Sequence, residues 1–227
     1  MHHTAALQSG LILLKNYNNV EANKRIIQLF DNCEVMKFHK NTLLNTPGSG
    51  AESLYYIKKG AIKVFKQNSS ENFIIWIEPE GGIIGIDQLF NEGTDKLFYA
   101  VKGSEIKALP VKDAKALLKT NPELTLDTLQ CISEMADRME LNIMNITQKS
   151  IICNFANLLL KLSSLKTTEI VPSVITTKDV ANMVGTTTNY VYKTIQKLEN
   201  NSIISFKDRK LRITNKELLK QLASEGK

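Results

Sequence analysis

Hydrophobic and polar positions change rhythm twice along this chain. From residue 34 to about 109, apolar residues come in short alternating runs broken by glycine and polar turns. Examples are Ser53-Leu54-Tyr55-Tyr56-Ile57 before Lys58-Lys59-Gly60, Ala61-Ile62-Lys63-Val64-Phe65 before Asn68-Ser69-Ser70, and residues 73–77 before Pro79. Successive side chains of a strand point to opposite faces, so short runs spaced roughly 8 to 12 residues apart predict a small barrel or sandwich. Ahead of them, residues 20–31 place Val20, Ile26, Ile27 and Phe30 on one side of a short helix.

Past Pro110 the period becomes helical. The pattern predicts a short helix over Val111–Thr120, a long one over Pro122–Gln148 and a densely apolar one over Ile151–Ser164. Along the long helix Leu129, Ile132, Ala136, Met139, Ile143 and Ile146 follow alternating steps of three and four. That rhythm keeps one narrow apolar seam facing one way, which suits pairing with a second copy of the same helix. A helix packed on its own domain is the competing reading. Residues 163–173 are polar, contain Pro172 and read as a connection.

Two apolar periodicities then straddle a single short turn at Gly185. Val180, Met183 and Val184 share one face of a first helix; Val191, Ile195 and Leu198 share one face of a second. Gly185 occupies the point where the chain must reverse, a position suited to positive φ. Thr186 or Thr187 can cap the second helix, leaving Thr188, Asn189, Tyr192 and Lys193 open near its N-terminus. In a helix-turn-helix that end enters a DNA major groove.

An ordinary helical hairpin has the same apolar pattern, and neighbouring features weigh against it. The open face carries Lys193 and Lys197 with no acid before Glu199. After Ile203-Ile204 the chain alternates through Ser205-Phe206, turns at Lys207-Asp208-Arg209-Lys210 and continues Leu211-Arg212-Ile213. That is a short basic hairpin, a wing placed to touch phosphates through Arg209 and Lys210.

Charge agrees. Lys and Arg number 29 against 23 Asp and Glu, for a net charge of +6. The excess is modest, but cations dominate residues 193–220, as an anionic partner requires. Cys33, Cys131 and Cys153 are widely spaced, with no CxxC pair and no histidine pair nearby, so no metal, iron-sulfur cluster or disulfide framework is expected. His39 stands alone and reads as a surface or hydrogen-bonded residue rather than a haem ligand. No apolar run reaches the ~18 residues of a membrane span, and Leu11 to Leu14 is too short for an export signal, so no membrane partner and a cytoplasmic location are expected. There is no nucleophile elbow, phosphate-cradling loop or HExxH, which removes the usual grounds for catalysis.

The order of parts resembles the Crp/Fnr family of bacterial transcription regulators. The matching residues are Leu54-Tyr55-Tyr56-Ile57-Lys58-Lys59-Gly60, the frame Gly81-Gly82-Ile83-Ile84-Gly85 with Leu89-Phe90, and residues 180–204. The resemblance implies an α+β chain: an N-terminal double-stranded β-helix (a β-roll or jelly roll) as sensor over 1–121, a dimerisation helix over 122–149 and a winged helix-turn-helix over 150–227. It implies double-stranded DNA, a second copy, RNA polymerase and a small-molecule effector as partners.

In members of that family that bind cyclic nucleotides, a glutamate follows the glycine matching Gly85, and an Arg-Ser pair lies about ten residues on. Here Ile86, Lys96 and Leu97 stand in those places. A carboxylate acceptor, a planar guanidinium fork and a hydroxyl are all missing, and Lys96 supplies only a point charge. Asp87 is one position out of register, a shift that in a strand or tight turn can send a side chain to the other face. Weak or absent binding of cyclic AMP is therefore expected, no cofactor is expected and the effector is unidentified. The resemblance also puts Thr188, Asn189 and Lys193 where family members read base edges, with Thr177 and Thr187 placed for phosphates. A sensor whose C-terminal half docks protein instead of DNA is the alternative function.

Overall fold

The computed structural model describes residues 20–46, 52–67, 72–91, 94–164, 175–207 and 210–224. Arg209, the segment Leu11 to Leu14 and most of the expected connection after residue 164 lie outside them. The chain divides into two compact units, one ending at Asp137 and one resuming at Arg138.

The first unit opens with α1 (Val20–Gln28), whose Ile26 is buried and whose C-terminal continuation buries Phe30. Among the described residues eight strands follow: β1 (Val35–Lys37), β2 (Thr42–Leu43), β3 (Ser53–Lys59), β4 (Ala61–Gln67), β5 (Asn72–Pro79), β6 (Ile83–Ile84), β7 (Lys96–Ala100) and β8 (Glu105–Pro110). They form two antiparallel sheets, in the orders β1-β8-β3-β6 and β2-β7-β4-β5. Residues of one face of each sheet meet in the core, as in the edge-on contact of Tyr55 with Phe98 at 6.0 Å between ring centres. Val64, Trp76 and Ile106 are buried with them, while alternate positions such as Lys66 face out. This is the double-sheet solution expected of short alternating strands.

A 3-10 turn, Ile86–Leu89, separates β6 from β7. Gly85 precedes it at φ 86°, and a Cβ there would lie 2.8 Å from the Ser53 carbonyl oxygen and 2.4 Å from Gln88 Nε2. Only glycine fits this approach of two backbones.

Helix α2 (Val111–Thr120) and the part of α3 (Pro122–Gln148) up to Asp137 end the unit. Ala114, Leu124 and Cys131 join Ile26, Phe30, Leu54, Ile83, Ile86 and Leu89 in a second core layer. Arg25 of α1 holds Asp127 of α3 with two hydrogen bonds, Nε to Oδ2 at 2.5 Å and Nη2 to Oδ1 at 2.8 Å.

The second unit contains α4 (Ile151–Ser164), α5 (Thr177–Val184), α6 (Thr188–Asn200), a hairpin of β9 (Ile204–Lys207) and β10 (Lys210–Ile213), and α7 (Lys216–Ser224). Phe155, Leu158, Leu159 and Leu162 of α4 are buried with Met183, Val191, Leu198, Ile204, Ile213 and Leu219. The sequence pattern did not predict α7. It packs along α4, where its Ala223 carbonyl accepts hydrogen bonds from Asn157 Nδ2 at 2.9 Å and Cys153 Sγ at 3.1 Å.

Candidate nucleic-acid interface

Helix α5 begins with a reciprocal cap. Thr176 Oγ1 accepts from the Asp179 N–H at 3.1 Å, and Asp179 Oδ2 accepts from the Thr176 N–H at 2.8 Å. Together they satisfy donors that the first turn leaves open. Thr177 is the first residue of the helix and is half-buried. The helix stops at Gly185 in the left-handed region, φ 72° and ψ 41°, as the turn requires. Thr187 then caps α6, its Oγ1 accepting from the Tyr190 N–H at 3.3 Å. Its hydroxyl proton stays available to an outside acceptor.

Val191, Thr194, Ile195 and Leu198 turn inward from α6 and are buried. The remaining face is open: Thr188, Asn189, Tyr190, Tyr192, Lys193, Gln196 and Lys197 are all exposed, and no acid stands in the first turn. Tyr190 and Tyr192 are 41% and 49% exposed, so neither is packed under the wing or the first helix. The helix N-terminus, its free amide groups and Lys193 favour an anion at this end.

The wing forms as the alternation predicts, pairing Ile204 with Ile213, Phe206 with Leu211 and Lys207 with Lys210. Leu211 and Ile213 are buried, which turns Arg212 outward. Lys207 and Arg212 are further exposed cations of the wing beyond Arg209 and Lys210, and the apolar neighbours Leu211 and Ile213 signal the outward turn of Arg212. Lys210 starts β10; its side chain lies outside the described residues.

The seam residues of α3 divide. Leu129, Ala136, Met139 and Ile143 are exposed, Ile143 at 62%, and so are Leu126 and Met144. Ile132 instead leans on the core of the first unit, because it follows the buried Cys131 at the edge of that layer. The side chain of Ile146 lies outside the described residues.

In the sensor unit Ile86 and Leu97 are core residues, at 2% and 8% exposure. Asp87 does not turn to the face away from Lys96, the outcome expected of a one-position shift in a strand or tight turn. It lies in the 3-10 turn, and Lys96 Nζ of β7 donates to Asp87 Oδ2 at 2.7 Å. The same ammonium lies 5.3 Å over the Trp76 ring. His39 is exposed, Cys33 is half-buried, and Cys131 and Cys153 are buried and not in disulfides. Among the described residues no cluster of three or more His, Cys, Asp or Glu could hold a metal, and no helix is long and apolar enough to cross a membrane.

Residues 155–222 match the family profile of the Crp-like helix-turn-helix domain. The cAMP-activated global transcriptional regulator CRP of Salmonella typhimurium is 26% identical over 183 residues, covering 76% of this chain and 86% of its own. A global nitrogen regulator of Synechocystis is 22% identical over 196 residues, covering 82% and 87%. Among solved structures, FixK2 of Bradyrhizobium japonicum superposes with a TM-score of 0.71 at 14% identity, covering 85% of this chain and 98% of that one. A CRP/FNR-family transcriptional regulator of Thermus thermophilus gives a TM-score of 0.70 at 20% identity, covering 85% and 99%. Residues 155–222 thus carry a Crp-like helix-turn-helix domain, and over most of its length the chain is similar to Crp/Fnr-type transcription regulators, with a cyclic-nucleotide-binding-like β-roll ahead of the helix-turn-helix.

Proposed function

We propose that this regulator binds a palindromic DNA site as a homodimer, presenting the N-terminal end of α6 to each half-site, and that cyclic AMP is not its effector. The carrying observation is the two-sidedness of α6: Val191, Ile195 and Leu198 are buried while Thr188, Asn189, Tyr192 and Lys193 face solvent. In this reading Asn189 pairs its amide with an adenine edge, Lys193 donates to guanine and the Thr188 methyl meets a thymine methyl. Thr177 and Thr187 hold phosphates, and Arg209 and Lys210 of the wing add sequence-independent contacts.

The dimer reading rests on α3, whose exposed Leu126, Leu129, Met139, Ile143 and Met144 form apolar surface that a second copy would cover. Residues 122–149 then serve as the dimerisation helix between a sensor over 1–121 and a DNA-binding domain over 150–227. A two-fold axis would set the recognition helices about 34 Å apart, one turn of DNA. Random-site selection followed by gel shifts tests this directly. Enriched inverted half-sites about 10 bp apart are expected; a single unrepeated half-site would refute the dimeric reading.

Against cyclic AMP stand the buried Ile86 and Leu97 and the Lys96 ammonium already engaged by Asp87. A phosphate would have to displace that carboxylate and would meet no guanidinium fork. Calorimetry is expected to show no saturable heat at micromolar nucleotide, and clear micromolar binding would overturn the statement. A small-molecule effector of other chemistry, RNA polymerase as the downstream target and action in the cytoplasm complete the reading. Strong retention on nonspecific DNA that falls steeply with salt would separate it from a protein-docking module.

A further inference from the structure

The buried positions of α6 fix which line along the helix lies farthest from the core. Val191, Thr194, Ile195 and Leu198 turn inward. At about 100° of rotation per residue, Asn189, Lys193, Gln196 and Asn200 all fall within about 30° of the line diametrically opposite them. All four are exposed. Tyr192 and Lys197 flank that line on its two sides at about 70°. Gln196 therefore shares one outward stripe with Asn189 and Lys193, the two residues assigned to base edges by hydrogen bonding.

The polar side chains of this helix and its C-terminal cap also divide by what they already hold. Thr194 Oγ1 donates to the Tyr190 carbonyl at 2.9 Å, Asn201 Nδ2 donates to the Lys197 carbonyl at 2.8 Å, and Glu199 Oε1 accepts from the Phe206 N–H. Those groups are engaged within the domain. Gln196, like Asn189 and Lys193, has no side-chain hydrogen bond or ion pair among the described residues. Its amide keeps two donors and an acceptor for an outside group.

We propose that Gln196 is a further base-reading residue of α6, pairing its amide with an adenine next to the base pair taken by Lys193. The proposal rests on α6 being the DNA-reading helix. A side chain that only grips phosphate profits from positive charge, which Lys193 and Lys197 already supply on this face. A neutral amide gains little there. At a base edge the same amide donates to N7 and accepts from the N6 amino group of one adenine, a pairing that no other base reproduces in the major groove. The helix rises about 1.5 Å per residue, so Gln196 lies about 4.5 Å beyond Lys193, little more than one base-pair step of about 3.4 Å.

Random-site selection and gel shifts on wild-type protein, Gln196→Ala and Gln196→Glu test this, with thermal melting to show each fold intact. Gln196→Ala should lose preference at one A·T pair, a different pair from the one relaxed by Asn189→Ala. It should bind the best site about ten- to a hundredfold more weakly with the salt slope unchanged. Sites already altered at that pair should be bound equally by wild-type protein and Gln196→Ala. Gln196→Glu should move preference at the same pair to C·G, because a carboxylate accepts from cytosine N4. Weakening that is uniform over all sequences, unchanged selection by Gln196→Ala, or relaxation at the Asn189 pair instead would each overturn the proposal. Wild-type protein that selects no sequence at all would instead sink the reading of α6, and this proposal with it.

Discussion

Glu199, near the end of α6, accepts a hydrogen bond from the backbone N–H of Phe206 in β9, with Oε1 2.5 Å from the nitrogen. Between them the chain passes through Ser202 at φ 57°, a left-handed conformation unusual for a residue with a side chain. Thr214 Oγ1 donates to the Ser202 carbonyl at 2.7 Å and helps hold that turn. The wing is thereby fixed to the helix that carries Asn189 and Lys193. Replacing Glu199 by Ala should free the wing, lowering the salt slope of DNA binding by about one unit while base preference stays the same. Glu199→Gln keeps an acceptor and should restore the slope. Altered base preference with an unchanged slope would contradict this role.

Base-reading and phosphate-holding residues should separate in the same assay. Asn189→Ala is expected to cost about 1 to 3 kcal/mol on the best site and to relax preference at one base pair. Lys210→Ala should weaken all sequences alike and flatten the salt dependence by about one unit. Gel shifts on selected and scrambled duplexes measure both, and identical behaviour of the two variants would remove the distinction.

The exposed seam of α3 makes oligomeric state a direct readout. Ile143→Glu withdraws one isoleucine from burial in each of two copies, a loss of about 3 to 6 kcal/mol and at least about a hundredfold in dimer affinity. Sedimentation should show monomers where wild-type protein is dimeric. A dimer unaffected by the substitution would place the interface elsewhere.

Acid should act through Arg25 and Asp127. The guanidinium hydrogen bonds hold the Asp127 carboxyl below its ordinary value of 3.8 against the opposing effect of burial. A carboxyl whose folded pKa is depressed contributes stability that is present above the ordinary value and is lost as pH falls through the folded one. Arg25→Met should therefore destabilise the sensor unit by about 2 to 3 kcal/mol at neutral pH and shrink its loss of stability below about pH 4. Denaturant melts across pH check this; an acid limb as steep as in wild-type protein would be inconsistent with it.

Lys161 works in the opposite pH range. Burial, with repulsion from Lys149, pushes its ammonium from 10.5 down to about 8. The unfolded chain then binds more protons between those values, so stability should rise as pH climbs from about 8 toward 10.5. Lys161→Met should abolish that alkaline rise, and thermal melts at several pH values would detect its persistence.

Much of this architecture was legible in residue order because each element buries one face. Helices α2, α3 and α4 begin and end where periodicity and Pro122 set them, and Gly185 marks the turn that only a left-handed residue makes easily. The open tip of α6 followed from the same face rule. Contacts between distant residues did not. Asp87 and Lys96 meet across the 3-10 turn after Gly85, although a one-position shift in a strand or tight turn is expected to part them. Ile132 fits the seam by spacing yet leans on a core assembled from four other segments. Helix α7 is not legible in residue order, because its buried Leu219 and Ala223 stand among Lys216, Glu217 and Lys220, a composition that reads as a polar tail.

That last helix has a practical consequence. The Ala223 carbonyl is the acceptor for two donors buried in the first half of α4, so trimming the chain back even to residue 220 would take that shared acceptor from the Asn157 amide and the Cys153 thiol. A fusion partner or affinity handle attached beyond residue 224 leaves this arrangement whole, whereas one that replaces the final turn would soften the platform beneath the DNA-reading helix.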